Sequence, residues 1–231
     1  MGNSKLGRSG LIWAFGLPSR ATCPGRSEVC SRVCYSHRLE RFRPNVRALY
    51  ERNLELSRWP DFASNMIREI GANHVRVLRV HVAGDFYSAD YATKWLGVMR
   101  AMPMVTFFAY TRSWRVPGFA DVFRDMAGLQ NVRLWYSCDR ETGVPDEVPE
   151  GVRLAWLMAD GGDLPPRADL VFRVARLRRH PTKSLRCAAG ADAPVCPVEN
   201  GITGGRTDCS RCGTCWEALT GRLPLPILAP S

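Results

Sequence analysis

The side chains best suited to chemistry in this 231-residue chain are its nine cysteines, and seven of them fall into two groups. The first group reads Cys23-x6-Cys30-x3-Cys34, with Tyr35 directly after it. Three thiolates in one short loop can hold three corners of a 4Fe–4S cubane, which leaves the fourth iron open to a substrate or cofactor. Zinc is the competing metal, with His37 completing a three-cysteine, one-histidine set. Against zinc, the loop lacks the C-x2-C knuckle of zinc ribbons. The second group reads Cys196-x12-Cys209-x2-Cys212-x2-Cys215, followed by Trp216. Its C-x2-C-x2-C core is ferredoxin-like, and a distant fourth cysteine closes a four-thiolate set. Four cysteines in a small tail fit zinc equally well. Cys187 is an alternative to Cys196 as the distal ligand. Cys138, at the C-terminal end of an expected strand, reads as a buried free thiol.

Disulfides are the other use for so many cysteines. The count is odd, the spacing is clustered, and Met1 to Gly10 is polar without the apolar core of a signal peptide. Reduced thiolates in a cytoplasmic protein are therefore expected. No apolar run approaches the length that crosses a bilayer, so no membrane partner is expected. The net charge of +10 points to an anionic partner: a nucleic acid, a phosphorylated small molecule or an anionic protein surface. Positive charge is densest from Arg173 to Lys183, where a solvated basic face is as natural a reading as a binding site.

The elements that must position these residues alternate in kind. Strands are expected at Leu11–Leu17, Val75–Val82, Met104–Tyr110, Val132–Ser137, Val152–Met158 and Leu170–Val174. Helices are expected at Pro44–Arg58, from Asp61 to Ile70, at Ala89–Met102 and at Gly118–Gly128. The last two strands are joined by short loops rather than clear helices. Alternation of this kind implies parallel strands with crossovers in a fold of the α/β class, and six strands are too few for a closed eight-stranded barrel but enough for an open or partial one. From residue 184 the chain turns rich in Gly, Cys, Pro and Thr, ending in a proline-rich run. The expected organisation is a partial barrel over 1–183 and a cysteine-rich metal-binding tail over 184–231, where metal substitutes for a core.

In parallel α/β folds chemistry collects at the C-terminal ends of the strands. The second strand delivers His81, Gly84 and Asp85 there. Glycine permits close approach of a ligand, and aspartate accepts hydrogen bonds from an amine, whereas His81 reads as a core histidine. The later strands deliver Thr111 and Arg112, then Cys138 and Asp139, then Asp160 and Arg176. Capping of loops and helix starts accounts for most such residues. No residue is singled out for catalysis.

A three-cysteine loop after the first strand, an aromatic after its last cysteine and a glycine-acidic turn after the second strand resemble the radical S-adenosylmethionine enzymes. The resemblance implies a partial (βα)6 barrel of the α/β class, a 4Fe–4S cluster on Cys23, Cys30 and Cys34, and S-adenosylmethionine bound with help from Tyr35, Gly84 and Asp85. It also implies an external electron donor. The spacing departs from the C-x3-C-x2-C of those enzymes. More of the chain resembles the phage and prophage family called gene product 88, through Leu17-Pro18, Thr22-Cys23-Pro24-Gly25, Cys34-Tyr35, His81 to Tyr87 and Cys209-x2-Cys212-x2-Cys215-Trp216. That resemblance implies a mobile-element origin and supplies no substrate. Three functions follow as expectations. The first is an iron–sulfur enzyme of radical S-adenosylmethionine type acting on an anionic small molecule or nucleic acid. The second is a non-catalytic, zinc-stabilised nucleic-acid-binding module. The third is an iron–sulfur protein with a purely redox or regulatory role.

Overall fold

The computed structural model describes residues 6, 7, 9–200 and 207–217. The proline-rich end, 223–230, lies outside them. Six strands pair in chain order and all run parallel: β1 (Ile12–Phe15), β2 (Val77–Val80), β3 (Thr106–Thr111), β4 (Val132–Cys138), β5 (Arg153–Met158) and β6 (Leu170–Arg173). The sheet curls into a half barrel. Every expected strand is present, most of them shorter than the apolar run that announced them.

Four helices separate β1 from β2: α1 (Glu28–Val33), α2 (Tyr35–Phe42), α3 (Pro44–Arg58) and α4 (Phe62–Ala72). The first two lie within and just after the cysteine segment, which the sequence reads as a plain loop. α5 (Ala89–Ala101) and α6 (Ala120–Ala127) carry the next two crossovers. Ser88 starts α5 by accepting a hydrogen bond from the backbone of Tyr91, the usual work of a serine cap. The crossovers through 139–152 and 159–169 contain no helix.

Both faces of the sheet are apolar, as parallel sheets covered on both sides require. Phe15, Leu78, Val80, Phe107, Leu134, Tyr136, Trp156 and Val171 face the helices, packing with Phe62, Trp95 and Phe123. The alternate residues face the other way, which is the concave side in a curled sheet with helices outside. There Ile12, Val77, Phe108, Trp135, Ala155 and Leu170 meet the cysteine-rich tail. That tail adds a hairpin, β7 (Ser184–Arg186) and β8 (Asp192–Pro194), and the short helices α7 (Pro197–Asn200) and α8 (Cys209–Cys212). It joins the main sheet directly: Val195 bridges to Val171, and the backbone N–H of Cys196 donates to the carbonyl of Val171 at 2.9 Å. None of the helices is long and apolar enough to cross a membrane, among the described residues.

Candidate functional site

The cysteine loop leaves the C-terminal end of β1 and lies across the ends of β2, β3 and β4. Four attachments hold it there. Ser27 caps α1 by accepting from the N–H of Cys30 at 2.9 Å, and its hydroxyl donates to Asp139 Oδ2 at 2.6 Å. The N–H of Val29 donates to Glu141 at 3.1 Å. Arg115 donates to the carbonyl of Gly25. Gly25 itself sits so close to β3's end that an added Cβ would lie 2.0 Å from the carbonyl oxygen of Arg112. Thus Cys23 and Cys30 bracket a stretch of backbone clamped to the strand ends, and Cys34 begins α2 as its cap, its sulfur accepting from the N–H of His37.

This clamping brings the three loop thiols into one another's electrostatic range. Cys23 is pushed up to about 12, first by burial, then by the Asp85 carboxylate, with Cys30 and Cys34 adding to it. Burial also raises Cys30; Arg112 works against that rise, whereas Cys34, Asp139 and Asp85 reinforce it. All nine cysteines are free of disulfides. Among the described residues, no three or more His, Cys, Asp or Glu side chains stand at the geometry a metal ion requires. The loop thiols are neighbours, then, without being drawn onto a common point, and His37 completes no such set.

The turn after β2 serves the protein's own packing first. Gly84 has φ +76, and a Cβ there would lie 2.4 Å from Thr22 Oγ1 and 2.7 Å from Leu17 Cβ. The close approach that glycine allows is therefore to the cysteine loop. Asp85 is buried, accepting from Phe86 N at 2.7 Å, Thr111 Oγ1 at 2.6 Å and Arg112 N at 2.7 Å. A carboxylate has about four acceptor positions, so about one is left. Burial raises its pKa to about 6 against the pull of those donors. Tyr35 is half-exposed and donates through its hydroxyl to the carbonyl of Val82 at 2.5 Å, which ties α2 to the same turn. His81 is a core residue as read from the sequence, with Nε2 2.8 Å from the Tyr91 hydroxyl and Nδ1 without a partner.

The tail thiols collect on the concave face. Cys209 packs with Ile12, Val77 and Phe108, and Cys196 with Trp135, Ala155 and Leu170, while Cys215 touches both groups. Cys215 is pushed up to about 12 by burial, with the nearby Tyr110 hydroxyl opposing and Cys196, Cys209 and Cys212 reinforcing. Cys187 belongs to the core on the helix side instead, whereas Cys196 lies within electrostatic range of Cys215. Among the described residues no three of the tail thiols stand at metal geometry either, so the expected metal-binding tail is not shown. The segment is held by Trp135 Nε1 to the carbonyl of Cys215 at 3.0 Å and Arg153 to the carbonyl of Thr214 at 3.0 Å. Cys138 is buried and unpaired, as expected.

Sequence reasoning missed Ser27, Glu141 and Arg79, and undervalued Arg112 and Asp139. Asp139 is fully shielded from solvent and stands 2.7 Å from Arg112. Arg79 faces the concave side from the middle of β2, its guanidinium carbon 5.5 Å from the Tyr110 ring centre and its Nε without a hydrogen-bond partner. Burial works against its charge, yet Tyr35, Tyr110, Cys209 and Cys215 around it hold its pKa raised. An arginine inside an otherwise apolar strand was the available signal, since such a residue is costly to bury. By contrast, the basic stretch 173–183 is largely committed to structure: Arg173 is buried and donates to the carbonyls of Leu177 and His180, and Arg176 pairs with Asp160.

The family model described as Gene product 88 matches residues 1–218. The Gene 88 protein of Mycobacterium phage L5 is 30% identical over 227 residues, covering 93% of this chain and 85% of that protein. The Gene 88 protein of Mycobacterium phage D29 is 29% identical over 232 residues, with the same shares covered. No solved structure matches.

Proposed function

The chain belongs to the gene product 88 family, whose name states no chemistry, and we propose from its strand-end geometry that it is an iron–sulfur enzyme of the radical S-adenosylmethionine type. The supporting observation is that Cys23, Cys30 and Cys34 lie within electrostatic range of one another at the C-terminal ends of a parallel half barrel, on a loop clamped there from β3 and β4. The donors suit iron by chemistry rather than by a preformed geometry: three disulfide-free thiols on one loop, half-buried, beside an Arg112 whose charge favours the Cys30 thiolate. A thiol whose pKa burial has raised, as in Cys23 and Cys30, keeps its proton at neutral pH until a metal displaces it. A cluster on three cysteines supplies an open iron to which S-adenosylmethionine binds for reductive cleavage. Asp85 has about one acceptor position to offer the cofactor's amino group, so its main work is to orient Thr111 and Arg112.

The test begins with purification without oxygen and assay of iron, sulfide and zinc. The reading expects about four irons and four sulfides for the loop cluster, lost on Cys30→Ala, and 5′-deoxyadenosine on adding dithionite and S-adenosylmethionine. Stoichiometric zinc without iron would overturn it. Iron and sulfide without 5′-deoxyadenosine would leave an iron–sulfur protein of another kind.

The second reading, a zinc-stabilised module, is favoured at the tail. Cys196, Cys209 and Cys212 lie within electrostatic range of Cys215 where the chain has little secondary structure of its own. A four-thiolate site is closed, so it serves stability rather than chemistry. Tail zinc beside loop iron is compatible with the enzyme reading.

A further inference from the structure

Helix α2 packs the wrong way round for a surface helix. Two of its polar residues point inward: Ser36 is buried, and Glu40 accepts from the N–H of Ser19 and from Ser36 Oγ, both at 3.1 Å. Its apolar residues point outward: Tyr35, Leu39 and Phe42 are 52%, 39% and 68% exposed. Spaced at i, i+4 and i+7, they form one stripe with Arg38 at i+3. A solvent-facing aromatic stripe marks a partner surface rather than a packing accident.

The charge around the stripe states what that partner is. Arg38, Arg41 and Arg43 share or directly follow the helix, and Arg20, Arg26 and Arg32 lie on the loop and helix that lead into it; all are exposed, and none forms an ion pair with an acid among the described residues. Among the described residues, Arg20 and Arg26 donate only to backbone carbonyls. The chain from 18 to 49 has two acids, Glu28 and Glu40, and Glu40 is turned inward. On the preceding loop and α1, Arg20, Arg26 and Arg32 line a cleft of about 240 Å³ with Glu28 and Ser31, large enough to take a phosphate group.

We infer that α2 and the arginine rim of the cysteine loop form a docking surface for single-stranded nucleic acid. Guanidiniums without acid partners suit a phosphate backbone, and exposed aromatic faces suit unstacked bases, which a duplex does not offer. Tyr35 is well made for this, because its anchored hydroxyl fixes the ring while leaving a face open. A bound strand would lie against the loop that bears Cys23, Cys30 and Cys34, since Cys34 caps α2. The surface goes beyond the enzyme reading and does not depend on which metal the cysteines hold.

The experiment uses the full chain with its metal, and measures anisotropy of labelled 20-nucleotide single strands, the matching duplex and, by flotation, vesicles rich in phosphatidylserine. Single strands should bind more tightly than duplex, with affinity falling steeply as salt rises. Phe42→Ala should weaken single-strand binding about 5- to 100-fold and leave duplex binding unchanged. Arg38→Gln with Arg41→Gln should reduce the salt slope by about 1–2. Arg68→Gln, on the remote helix α4, should change nothing. Equal or tighter duplex binding, vesicle binding in place of oligonucleotide binding, or indifference to both α2 variants would each overturn the inference. Metal assays on the same samples separate these outcomes from a failure of the iron–sulfur reading, because wild type and variants should carry equal metal.

Discussion

Arg112 and Asp139 stand 2.7 Å apart with side chains 8% and 0% exposed, and their ion pair joins the end of β3 to the end of β4 directly beneath the cysteine loop. Asp139 also receives the hydroxyl of Ser27 and the N–H groups of Glu141 and Thr142. One carboxylate thereby holds two strand ends and the start of α1.

Breaking a buried pair leaves an uncompensated charge, at a cost of about 3–5 kcal/mol. Asp139→Asn should lower the urea midpoint by that much stability with an unchanged slope. Arg112→Met combined with Asp139→Asn should recover part of the loss, because the two residues share one interaction. Additive losses in the double variant would show that the pair is not coupled.

Gly25 is the point of closest approach between loop and sheet. Gly25→Ala would push a Cβ into the backbone of Arg112, which must then shift, costing about 1–3 kcal/mol. The loop should loosen before the sheet does, read as faster amide exchange at 26–34 with β3 still protected. Gly97→Ala on α5 is the matched control. Nothing lies within 4 Å of its added Cβ, so it should stabilise by about 0.5–1 kcal/mol through helix propensity.

Asn131 donates through one amide nitrogen to the carbonyls of Met99 and Met102 at 3.0 Å and of Val105 at 3.1 Å, closing the end of α5 onto the start of β3. Asn131→Ala should cost about 1–3 kcal/mol from the acceptors left unsatisfied. Asn131→Asp should cost more above pH 5, because an ionised carboxylate would then face three carbonyl oxygens. Thermal melts at pH 4 and pH 8 check the difference.

His81 makes stability depend on acidity. Burial, and then the charge of Arg79, lower its pKa from 6.5 to about 3. Between those values the unfolded chain binds the proton and the folded chain does not, so this term is complete above pH 6.5 and is lost as pH falls toward 3. Asp85 acts in the opposite sense: its folded pKa of about 6 lies above its ordinary 3.8, so its contribution declines as pH rises through that window. The comparison is therefore between wild type and His81→Gln. The wild type should lose more stability between pH 6.5 and 4.5, by on the order of 2–3 kcal/mol. Parallel curves would mean that His81 is protonated in the fold.

The chain announced its strands well. Apolar runs such as Thr106–Thr111 and Val132–Cys138 are bounded by turn residues, and their alternation with helices fixes parallel pairing without knowledge of any contact. The spacing of Cys23, Cys30 and Cys34 was equally plain, because neighbours in a short loop remain neighbours in space. α1 and α2 were not, being two short helices whose caps, Ser27 and Cys34, depend on partners elsewhere.

By itself, then, the sequence determined the fold class, the sheet order that follows from successive crossovers, and the two cysteine groups, since all three rest on local period and spacing. Tertiary structure alone decided what those groups face. Ser27 meets Asp139 across 112 positions of chain, and no local pattern encodes such a pairing. Cys196 and Cys187 are alike in sequence until the curl of the sheet puts one on the concave face and the other in the helix-side core. The outward stripe of α2 was hidden for the same reason: a period shows which residues share a face, and only packing shows which face meets water.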